Sequence, residues 1–546
     1  MDNQRLFLFI ALSFVALMLW EAWQRDYAPP PPAATTETAA VAEATGTPPA
    51  DLPEAAPQVP VAQPMAETAV ARAARVRVVT DVLDLEIDTR GGDLRQADLL
   101  HYPVSPKAPD KPVRLLSDVP PDVFVIQSGL RTQTGTEPTH HVVFSAQREE
   151  YRLAPGQTEL VVPLTWTSPE GVTVTKRYRF QPGSYEIGLE QEVANASGGD
   201  WQGYQYRQLQ RSEVGRDSSS YFIYTYTGGV IYSPEEKYEK IDFADMAKSD
   251  LSRSINDGWA AMIQHYFLGA VIPNAGEPNQ YYTRALGDGR FVLGLVGPTV
   301  TVADGASQVF ASRLFVGPKL QDHLAEVAPG LELTVDYGML TIIAKPIFWL
   351  MDKIHTLVGN WGWAIIILTL LIKLVFYKLS ETSYRSMAQM RKLAPRLQAL
   401  KERYGDDRQK LNQAMMDIYR TEKINPLGGC LPILIQIPVF IALYWVLLES
   451  VEMRQAPFIL WLTDLSAKDP YFVLPLIMGV TMFIQQKLNP APLDPVQAKV
   501  MMVLPFIFTV FFAFFPSGLV LYWVTNNILS IAQQWVITKR VEQGGK

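Results

Sequence analysis

A cation, Lys373, lies inside an apolar stretch that is long enough to cross a membrane. The stretch runs from Gly359 to Leu379, and at 1.5 Å per residue Lys373 is about 9 Å from its carboxyl end. A charge at the centre of a span costs about 2.5–3.5 kcal/mol, so such residues tend to face protein or water and to be functional. The chemistry would be attraction of polar or acidic groups. So close to a boundary, a Lys side chain can instead extend its ammonium to the lipid headgroups, and both interpretations are open.

More polar side chains occupy the apolar runs around Lys373. Thr369 precedes it by four residues and therefore lies on the same helix face. Gln436 sits between two prolines of another run. The last run carries six polar residues: Thr525, Asn526, Asn527, Ser530, Gln533 and Gln534. Polar groups in hydrocarbon need hydrogen-bond partners, so we expect them to converge on one another or on a wet cavity.

Six apolar runs predict six membrane spans. They are Leu6–Trp20, Gly359–Leu379, Cys430–Leu448, Tyr471–Gln486, Val500–Phe515 and Gly518–Ile537. Between the second and third runs, segment 378–429 holds eleven Lys or Arg against six acidic residues. Because positive loops stay in the cytosol, both termini are predicted to be cytosolic and residues about 28–358 to lie outside. The first run favours an uncleaved anchor over a signal peptide, since no small-residue cleavage site follows it.

The segment outside the membrane divides into a tether, a sandwich and a helix. Residues 28–74 are rich in Pro, Ala and Thr, which predicts a disordered tether. From 75 to 335, apolar and polar residues alternate in short runs such as Val172–Phe180, between Gly and Pro turns. This pattern predicts a large antiparallel β-sandwich. Residues 336–358 predict an amphipathic helix that lies either in the outer interface or against the sandwich.

The basic segment predicts a cytosolic helical hairpin over residues 381–424. Apolar residues recur there at three- and four-residue steps on both sides of the breaking sequence Gly405-Asp406-Asp407. The seam includes four methionines: Met387, Met390, Met415 and Met416. Methionines adapt to varied apolar partners, so they are candidates for gripping incoming segments; packing of the hairpin against itself is the alternative.

Composition excludes several classes of function. A chain of 546 residues needs at least two domains. Its net charge of −7 argues against a DNA-binding protein. Cys430 is the only cysteine, which excludes an internal disulfide framework and a cysteine-built metal site, and the histidines show no metal-ligand spacing. We therefore predict no catalytic residues, no metal and no cofactor.

Four ordered motifs resemble the YidC family of membrane-protein insertases. They are Gly359–Gly362; Asn425–Cys430 followed by Gln436 and Pro438; Arg454–Phe458 with Trp461; and Phe515–Trp523. The resemblance implies a non-enzymatic protein that moves small or weakly hydrophobic proteins into the bacterial inner membrane, alone or beside the SecYEG translocon. It also implies a positively charged groove within five conserved spans. The usual arginine of that groove is replaced here by Lys373, which keeps the charge but loses a planar bidentate fork.

Together, these patterns predict a polytopic α-helical membrane protein with a five-helix core and a large all-β periplasmic sandwich. The predicted domains are an anchor at 1–27, a tether at 28–74, the sandwich at 75–335, an interfacial helix at 336–358 and the five-span core at 359–546. The groove should be lined by Lys373, Thr369, Gln436, Tyr522, Trp523, Asn526 and Asn527. The expected partners are nascent membrane proteins, the SecYEG translocon, the lipid bilayer, and the ribosome through the basic hairpin and tail.

A solute transporter or channel with an external ligand-binding domain is the alternative function. It would predict inverted repeats with broken helices in paired halves. Five spans after the sandwich do not divide evenly, and the apolar runs share no internal similarity. A membrane-anchored sandwich enzyme is a third class, which would need a convergent His–carboxylate pair, and a sequence cannot display such convergence.

Overall fold

The computed structural model describes residues 74–133, 135–213, 225–404, 407–422, 431–489 and 495–543. The predicted anchor, nearly all of the predicted tether, and segment 423–430 with Cys430 lie outside the described residues. Strands occupy most of the described chain up to Pro318, and long helices follow from Thr341 onward.

Two β-sheets form the first part of the described chain. Their strands are β1 (Arg75–Val79), β2 (Leu83–Asp88), β3 (Asp93–Ser105), β4 (Ala108–Leu116), β5 (Phe124–Thr132), β6 (Ser145–Ala146), β7 (Glu150–Arg152), β8 (Leu160–Thr167), β9 (Val172–Phe180), β10 (Glu186–Asn195), β11 (Trp201–Ser212), β12 (Gly228–Ser233), β13 (Lys237–Ile241), β14 (Ser252–Asn256), β15 (Trp259–Ile263), β16 (Phe267–Pro273), β17 (Pro278–Ala285), β18 (Arg290–Val296), β19 (Val300–Val302) and β20 (Ser307–Pro318).

Most neighbouring strands in the two sheets are antiparallel. One sheet runs β14-β17-β18-β11-β5-β3-β2-β1-β7, with β19 on β11 and β4 on β3. The other runs β13-β12-β15-β16-β20-β10-β9-β8-β6. The pair β1–β7 is parallel.

Alternation of apolar and polar residues explains why the sheets pack face to face. In β9, every second side chain is buried, and these inward side chains join those of β2 and β5 in one hydrophobic core. One inward position is Lys176, which is fully buried. Its Nζ donates to the carbonyl oxygens of Gly91 at 2.5 Å and Ser128 at 2.6 Å, from the opposite sheet. The predicted β-sandwich is confirmed.

Ten α-helices lie in the described residues. They are α1 (Phe243–Met246), α2 (Gln321–Val327), α3 (Thr341–Val358), α4 (Trp361–Val375), α5 (Tyr377–Tyr404), α6 (Arg408–Thr421), α7 (Leu431–Glu449), α8 (Val473–Leu488), α9 (Pro495–Phe512) and α10 (Ser517–Glu542). Short 3₁₀ turns occur at Leu331–Thr334, Gly338–Leu340 and Val451–Met453.

Helix α3 has two apolar faces with different surroundings. Phe348 and Met351 are buried in the core that α3 shares with α4 and α7. The other face exposes large apolar side chains, with Ile342 87%, Trp349 61% and Leu357 86% exposed. The buried face thus packs on other helices, while the exposed face has the character of a surface that lipid would cover.

The stretch that carries Lys373 is broken. It was predicted to continue to Leu379, but α4 ends at Val375 and α5 leaves it at 69°. Among the described residues, no single helix has both the length and the hydropathy needed to cross a membrane, whereas the bent pair α4–α5 meets both requirements jointly. The number of six spans therefore stays a prediction. Because α4 ends early, Lys373 lies in its last turn.

Helices α5 and α6 pair as a hairpin. The Asp407 side chain caps α6 by accepting the Lys410 backbone N–H at 3.1 Å, which satisfies an amide that the helix itself leaves unpaired. Leu393 and Leu397 are buried in the seam, with Met415 packed against them. The two helices therefore hold one another through a thin apolar strip.

Candidate functional site

A cavity of about 260 Å³ lies where α4, α5, α7, α8 and α10 meet. Its lining residues are Lys373, Ser380, Ser383, Tyr384, Met387, Gln436, Ile437, Phe440, Gln485, Asn489, Tyr522, Trp523, Asn526, Asn527 and Ser530. Among these described lining residues, Lys373 is the one charged group, and the others are hydroxyls, amides, aromatic rings and a few apolar side chains. The lining can solvate a polar guest by hydrogen bonds.

Lys373 is nearly buried, with 7% of its surface exposed. Its Nζ donates to Ser530 Oγ at 2.8 Å, and that hydroxyl donates in turn to the Asn526 carbonyl at 2.6 Å. Among the described residues, no carboxylate forms an ion pair with it. The position in the last turn of α4 puts the charge beside the helix carbonyl end, where a cation is favoured. The Lys373 ammonium is thus held by neutral dipoles.

Helix α10 carries polar side chains toward two different neighbours. Toward α7, Asn526 Oδ1 accepts from Gln436 Nε2 at 3.3 Å. Toward α8, Asn527 Nδ2 donates to Thr481 Oγ1 at 3.3 Å and Gln534 Nε2 donates to Asn489 Oδ1 at 2.9 Å. Residues 527 and 534 are seven apart and so lie on one face, which pairs α10 with α8. The helix is therefore both a wall of the cavity and one half of a polar helix pair.

Aromatic rings close the cavity between α7, α9 and α10. Phe440 packs edge-on against Trp523 with ring centroids 4.6 Å apart and lies 5.8 Å from Tyr522. Trp523 also contacts Phe512 of α9 at 4.7 Å. Tyr522 is buried, with 1% exposed. These rings form an apolar boundary between the polar lining and the outer surfaces of α7 and α9.

Those outer surfaces are strongly apolar. Ile437 and Ile441 of α7 are 43% and 38% exposed. On α9, the exposed apolar side chains are Met502, Val503, Phe506, Ile507 and Val510. Contiguous exposed apolar surface of this kind marks contact with lipid or with an apolar partner.

The side of the bundle nearest the sandwich is packed shut. Backbone N–H groups of Ser517 and Gly518 donate to the carbonyls of Ala467 at 2.7 Å and Leu465 at 2.9 Å. At Gly362, an added Cβ would come within 2.0 Å of the Phe458 ring, so the loop that follows α7 lies directly on the start of α4. One loop, 454–472, therefore contacts the start of α10 and the start of α4.

The structure brings together six of the seven predicted groove residues. Thr369 is the exception: it is 1% exposed, does not line the cavity, and its hydroxyl donates to the Ile365 carbonyl at 2.6 Å. A Thr hydroxyl in a helix readily bonds the carbonyl four residues before it, so sharing a face with Lys373 did not bring Thr369 to the cavity surface.

The four predicted methionines have three different surroundings. Met387 lines the cavity. Met390 and Met415 are partly buried in the hairpin seam, whereas Met416 is 50% exposed. Capture of apolar segments by these side chains stays a prediction.

Sequence reasoning missed the contribution of α5 to the cavity. Ser380, Ser383 and Tyr384 line it because the bend after Val375 turns the first part of α5 across the end of α4. Their three- and four-residue spacing was a usable signal for one helix face, but the bend that aims this face was not visible in the sequence. Gln485 of α8 and Asn489, just after it, also line the cavity, and the sequence analysis does not identify them.

Comparison with known proteins assigns both parts of the chain. Residues 75–350 match the family model described as the YidC periplasmic domain, and residues 353–544 match the one described as 60Kd inner membrane protein. The membrane protein insertase YidC of Methylococcus capsulatus is 58% identical over 550 residues, covering 100% of this chain and 99% of the relative. The YidC insertase of Thioalkalivibrio sulfidiphilus is 56% identical over 563 residues, covering 100% of both.

Among solved structures, an active YidC insertase with its first transmembrane domain resolved covers 85% of this chain and 92% of its own, at 19% identity and a TM-score of 0.38. At that score, the structural likeness carries no argument. The sequence matches span the whole chain at well over 30% identity, and they suffice. The chain belongs to the YidC family of membrane protein insertases.

Proposed function

We propose that this protein moves small or weakly hydrophobic proteins into the bacterial inner membrane through the cavity at Lys373, without a covalent step. The observation that carries the proposal is one nearly buried cation that donates to the neutral Ser530 Oγ, within a polar cavity flanked by apolar helix surfaces. A membrane protein under insertion presents the matching pair of surfaces: a polar tail that must cross and an apolar segment that must stay.

The polar tail is expected to enter the cavity. A polar group moved into hydrocarbon without a partner costs several kcal/mol, roughly 2–7 for an amide or hydroxyl. Gln436, Asn526 and Ser530 supply hydrogen-bond partners along the path, and Lys373 adds attraction for acidic groups. Each partner replaces a lost water contact, so the barrier falls without any change in the guest's bonds.

The apolar segment is expected to pass along α7 and α9. Their exposed side chains, such as Ile441 and Phe506, offer a surface as apolar as lipid, so the segment can leave the protein without a penalty. Helix α8 has 16 residues, or roughly 24 Å against a hydrocarbon core of about 30 Å. A helix this short favours local thinning of the bilayer, which would shorten the polar tail's path.

The topology and partners belong to the same proposal. Six spans with both termini in the cytosol would put the sandwich in the periplasm and the α5–α6 hairpin in the cytosol. Nascent membrane proteins are the substrates, with the SecYEG translocon as an optional partner. The basic hairpin and tail are suited to contact a ribosome, whose surface is rich in phosphate.

A solute transporter or channel is the second candidate. A cavity of about 260 Å³ lined by hydroxyls and amides would fit a small polar solute. The two functions differ in their guest, and this difference can be tested directly.

Site-specific photo-crosslinking during translation of a small single-span membrane protein makes that test. Probes at Gln436 and Trp523 face the cavity, and a matched probe at Ile528, 49% exposed on the same helix as Trp523, is the control. Crosslinks to the nascent chain from the first two and weaker ones from Ile528 support insertion through the cavity. Solute uptake by the same vesicles with no crosslink from either cavity position would favour the transporter.

A further inference from the structure

Helix α7 forms one wall of the cavity, yet its polar contact with the opposite wall is slight. The hydrogen bond from Gln436 to Asn526 is long, at 3.3 Å. On its other side, α10 makes two side-chain hydrogen bonds, to Thr481 of α8 at 3.3 Å and to Asn489, just after α8, at 2.9 Å. Apolar packing of Leu443 and Val446 in the helical core holds the middle of α7, and the contacts at its far end add to that hold.

That far end meets the sandwich. The last four carbonyls of a helix have no partner within it, and one of them, at Leu448, accepts a hydrogen bond from His265 Nε2–H at 2.9 Å. His265 precedes β16, and its ring stacks on Tyr266 with centroids 3.7 Å apart. A sandwich residue thus terminates α7.

The segment that follows α7 is held as well. Arg454 Nη2 donates to the Pro103 carbonyl at 2.6 Å, and Gln455 Nε2 donates to the same oxygen at 2.7 Å. The Arg454 guanidinium also lies 5.6 Å from the ring centroid of Phe267, within range of a cation–π interaction. Pro103 belongs to β3 and Phe267 to β16, so two strands of different sheets contact this one segment.

Opposite charges are buried at the same junction. Lys319, just after β20, is 2% exposed, and Glu449, the last residue of α7, is 6% exposed. Burial lowers the pKa of Lys319 to about 8, while the Glu449 carboxylate acts to raise it. Separating the helix from the sandwich would remove this interaction between the two buried side chains.

We propose that His265 and Arg454 are positioning residues that clamp the sandwich-side end of α7 and thereby set the width of the cavity between α7 and α10. The inference rests on the proposed function of that cavity. It assigns the sandwich a specific mechanical role, namely to hold one cavity wall in place.

A small tilt at the clamped end of α7 would displace the part of the helix that lines the cavity. From Glu449 to Phe440 the helix has no proline and spans about 14 Å at 1.5 Å per residue. A tilt of about 8° at the clamped end would therefore move Phe440 by ~2 Å. Such a shift is enough to break the Phe440–Trp523 contact and the 3.3 Å bond at Gln436.

The test is a distance measurement between spin labels in the full-length protein in lipid vesicles. Cys430→Ser removes the single native cysteine, and labels are placed at exposed Ile441 on α7 and Ile528 on α10. In the variant R454A/H265F, in which Phe preserves the stacking on Tyr266, we expect the distance to shift or its distribution to broaden by ~2 Å. The matched control is Arg177→Ala, which removes a sandwich ion pair with Glu192 and should leave the distance unchanged.

An unchanged distribution in the folded double variant would overturn the inference. Gln455→Leu is a milder second variant, expected to give a smaller shift in the same sense, and it serves if the double variant is poorly folded. Crosslinking from Gln436 to a nascent chain is then compared between the same proteins. A distance shift without any crosslink in the unmodified protein would support the clamp and reject the proposed function. Crosslinks in the unmodified protein with no distance shift in the variant would support the proposed function and overturn the clamp.

Discussion

At the scale of single residues, the proposed attraction of a polar guest depends on how the Lys373 side chain is held. Its Nζ is bonded to a hydroxyl, Ser530 Oγ, at 2.8 Å. A neutral partner stabilises the ammonium without cancelling its charge, whereas a carboxylate would have neutralised the cavity. Under the proposed function, attraction of a polar guest needs charge and not a planar fork, so lysine can serve there as arginine would.

Reversing that charge is the first prediction. A unit charge about 8 Å from Nζ interacts by about 2 kcal/mol at an effective dielectric constant near 20, roughly a factor of 30 in occupancy. We therefore expect Lys373→Glu to fail in complementing an insertase-depletion strain, and Lys373→Arg to complement. Lys378→Glu, at a side chain 91% exposed, is the matched charge reversal. If the strain with Lys373→Glu grows as well as the strain with the unmodified protein, attraction by this charge is unnecessary for insertion.

A second prediction concerns pH and His265. Burial lowers the pKa of this imidazole to about 4, and the nearby Lys319 and Arg454 charges add to the effect. Between about 6.5 and 4 the unfolded chain binds a proton that the folded protein does not, so stability should fall as the pH drops through this window. The expected loss is roughly 2 kcal/mol, since the ring is partly exposed.

Thermal unfolding of the detergent-solubilised protein at pH 7 and pH 4.5 measures this loss. His265→Phe should reduce the pH dependence of the melting temperature, whereas His101→Gln, at an exposed position of β3, should not. Equal pH dependence in His265→Phe and the unmodified protein would contradict the assignment.

At the scale of elements, close packing between the 454–472 loop and α4 keeps the sandwich side of the bundle shut. Gly362 has no room for a side chain beside Phe458, and Asn360 Nδ2 donates to the Phe458 carbonyl at 3.2 Å. The absence of a Cβ at one position lets the loop lie directly on the helix. Small residues play this part wherever membrane helices approach closely.

Gly362→Ala should therefore be destabilising. Overpacking a filled site costs about 1–3 kcal/mol, so the melting temperature in detergent is expected to fall by several degrees. The double variant Gly362→Ala/Phe458→Ala should lose less stability than the sum of the losses in the two single variants, because removing the Phe458 ring relieves the clash. Additive losses would mean that the two residues do not compete for the same space.

At the scale of the whole molecule, the sandwich and the helical core share one junction of buried polar groups. The proposed topology puts that junction on the periplasmic face. It follows that the sandwich should be accessible from one side of the membrane and the hairpin from the other.

Cysteine accessibility tests this arrangement. In a Cys430→Ser background, a cysteine at exposed His141 of the sandwich should react with a membrane-impermeant maleimide added to spheroplasts. A cysteine at Met416, 50% exposed on the hairpin, should react only after lysis. Labelling of both positions before lysis would contradict a cytosolic hairpin.

Local sequence patterns predicted the elements well and their partners poorly. The two-residue alternation of Val172–Phe180 predicted a strand, and the structure shows it as β9 with alternate side chains buried. The continuous apolar run through Lys373 gave no sign of the 69° bend after Val375. On either side of that bend, α4 and α5 both pack against α10, through contacts between residues more than a hundred positions apart.

What the sequence alone determined was therefore the sandwich, the hairpin, the polar character of the helices and the presence of a cation within an apolar run, since each follows from the spacing of neighbouring residues. Tertiary structure decided which polar groups meet: Asn526 turns toward α7 and Gln534 toward α8, Thr369 is satisfied within its own helix, and His265 ends α7 from the sandwich. The physical reason is that a hydrogen bond depends on direction and on distances of about 3 Å. Hydrophobic periodicity gives neither the direction nor the distance between two partners that come from distant parts of the chain.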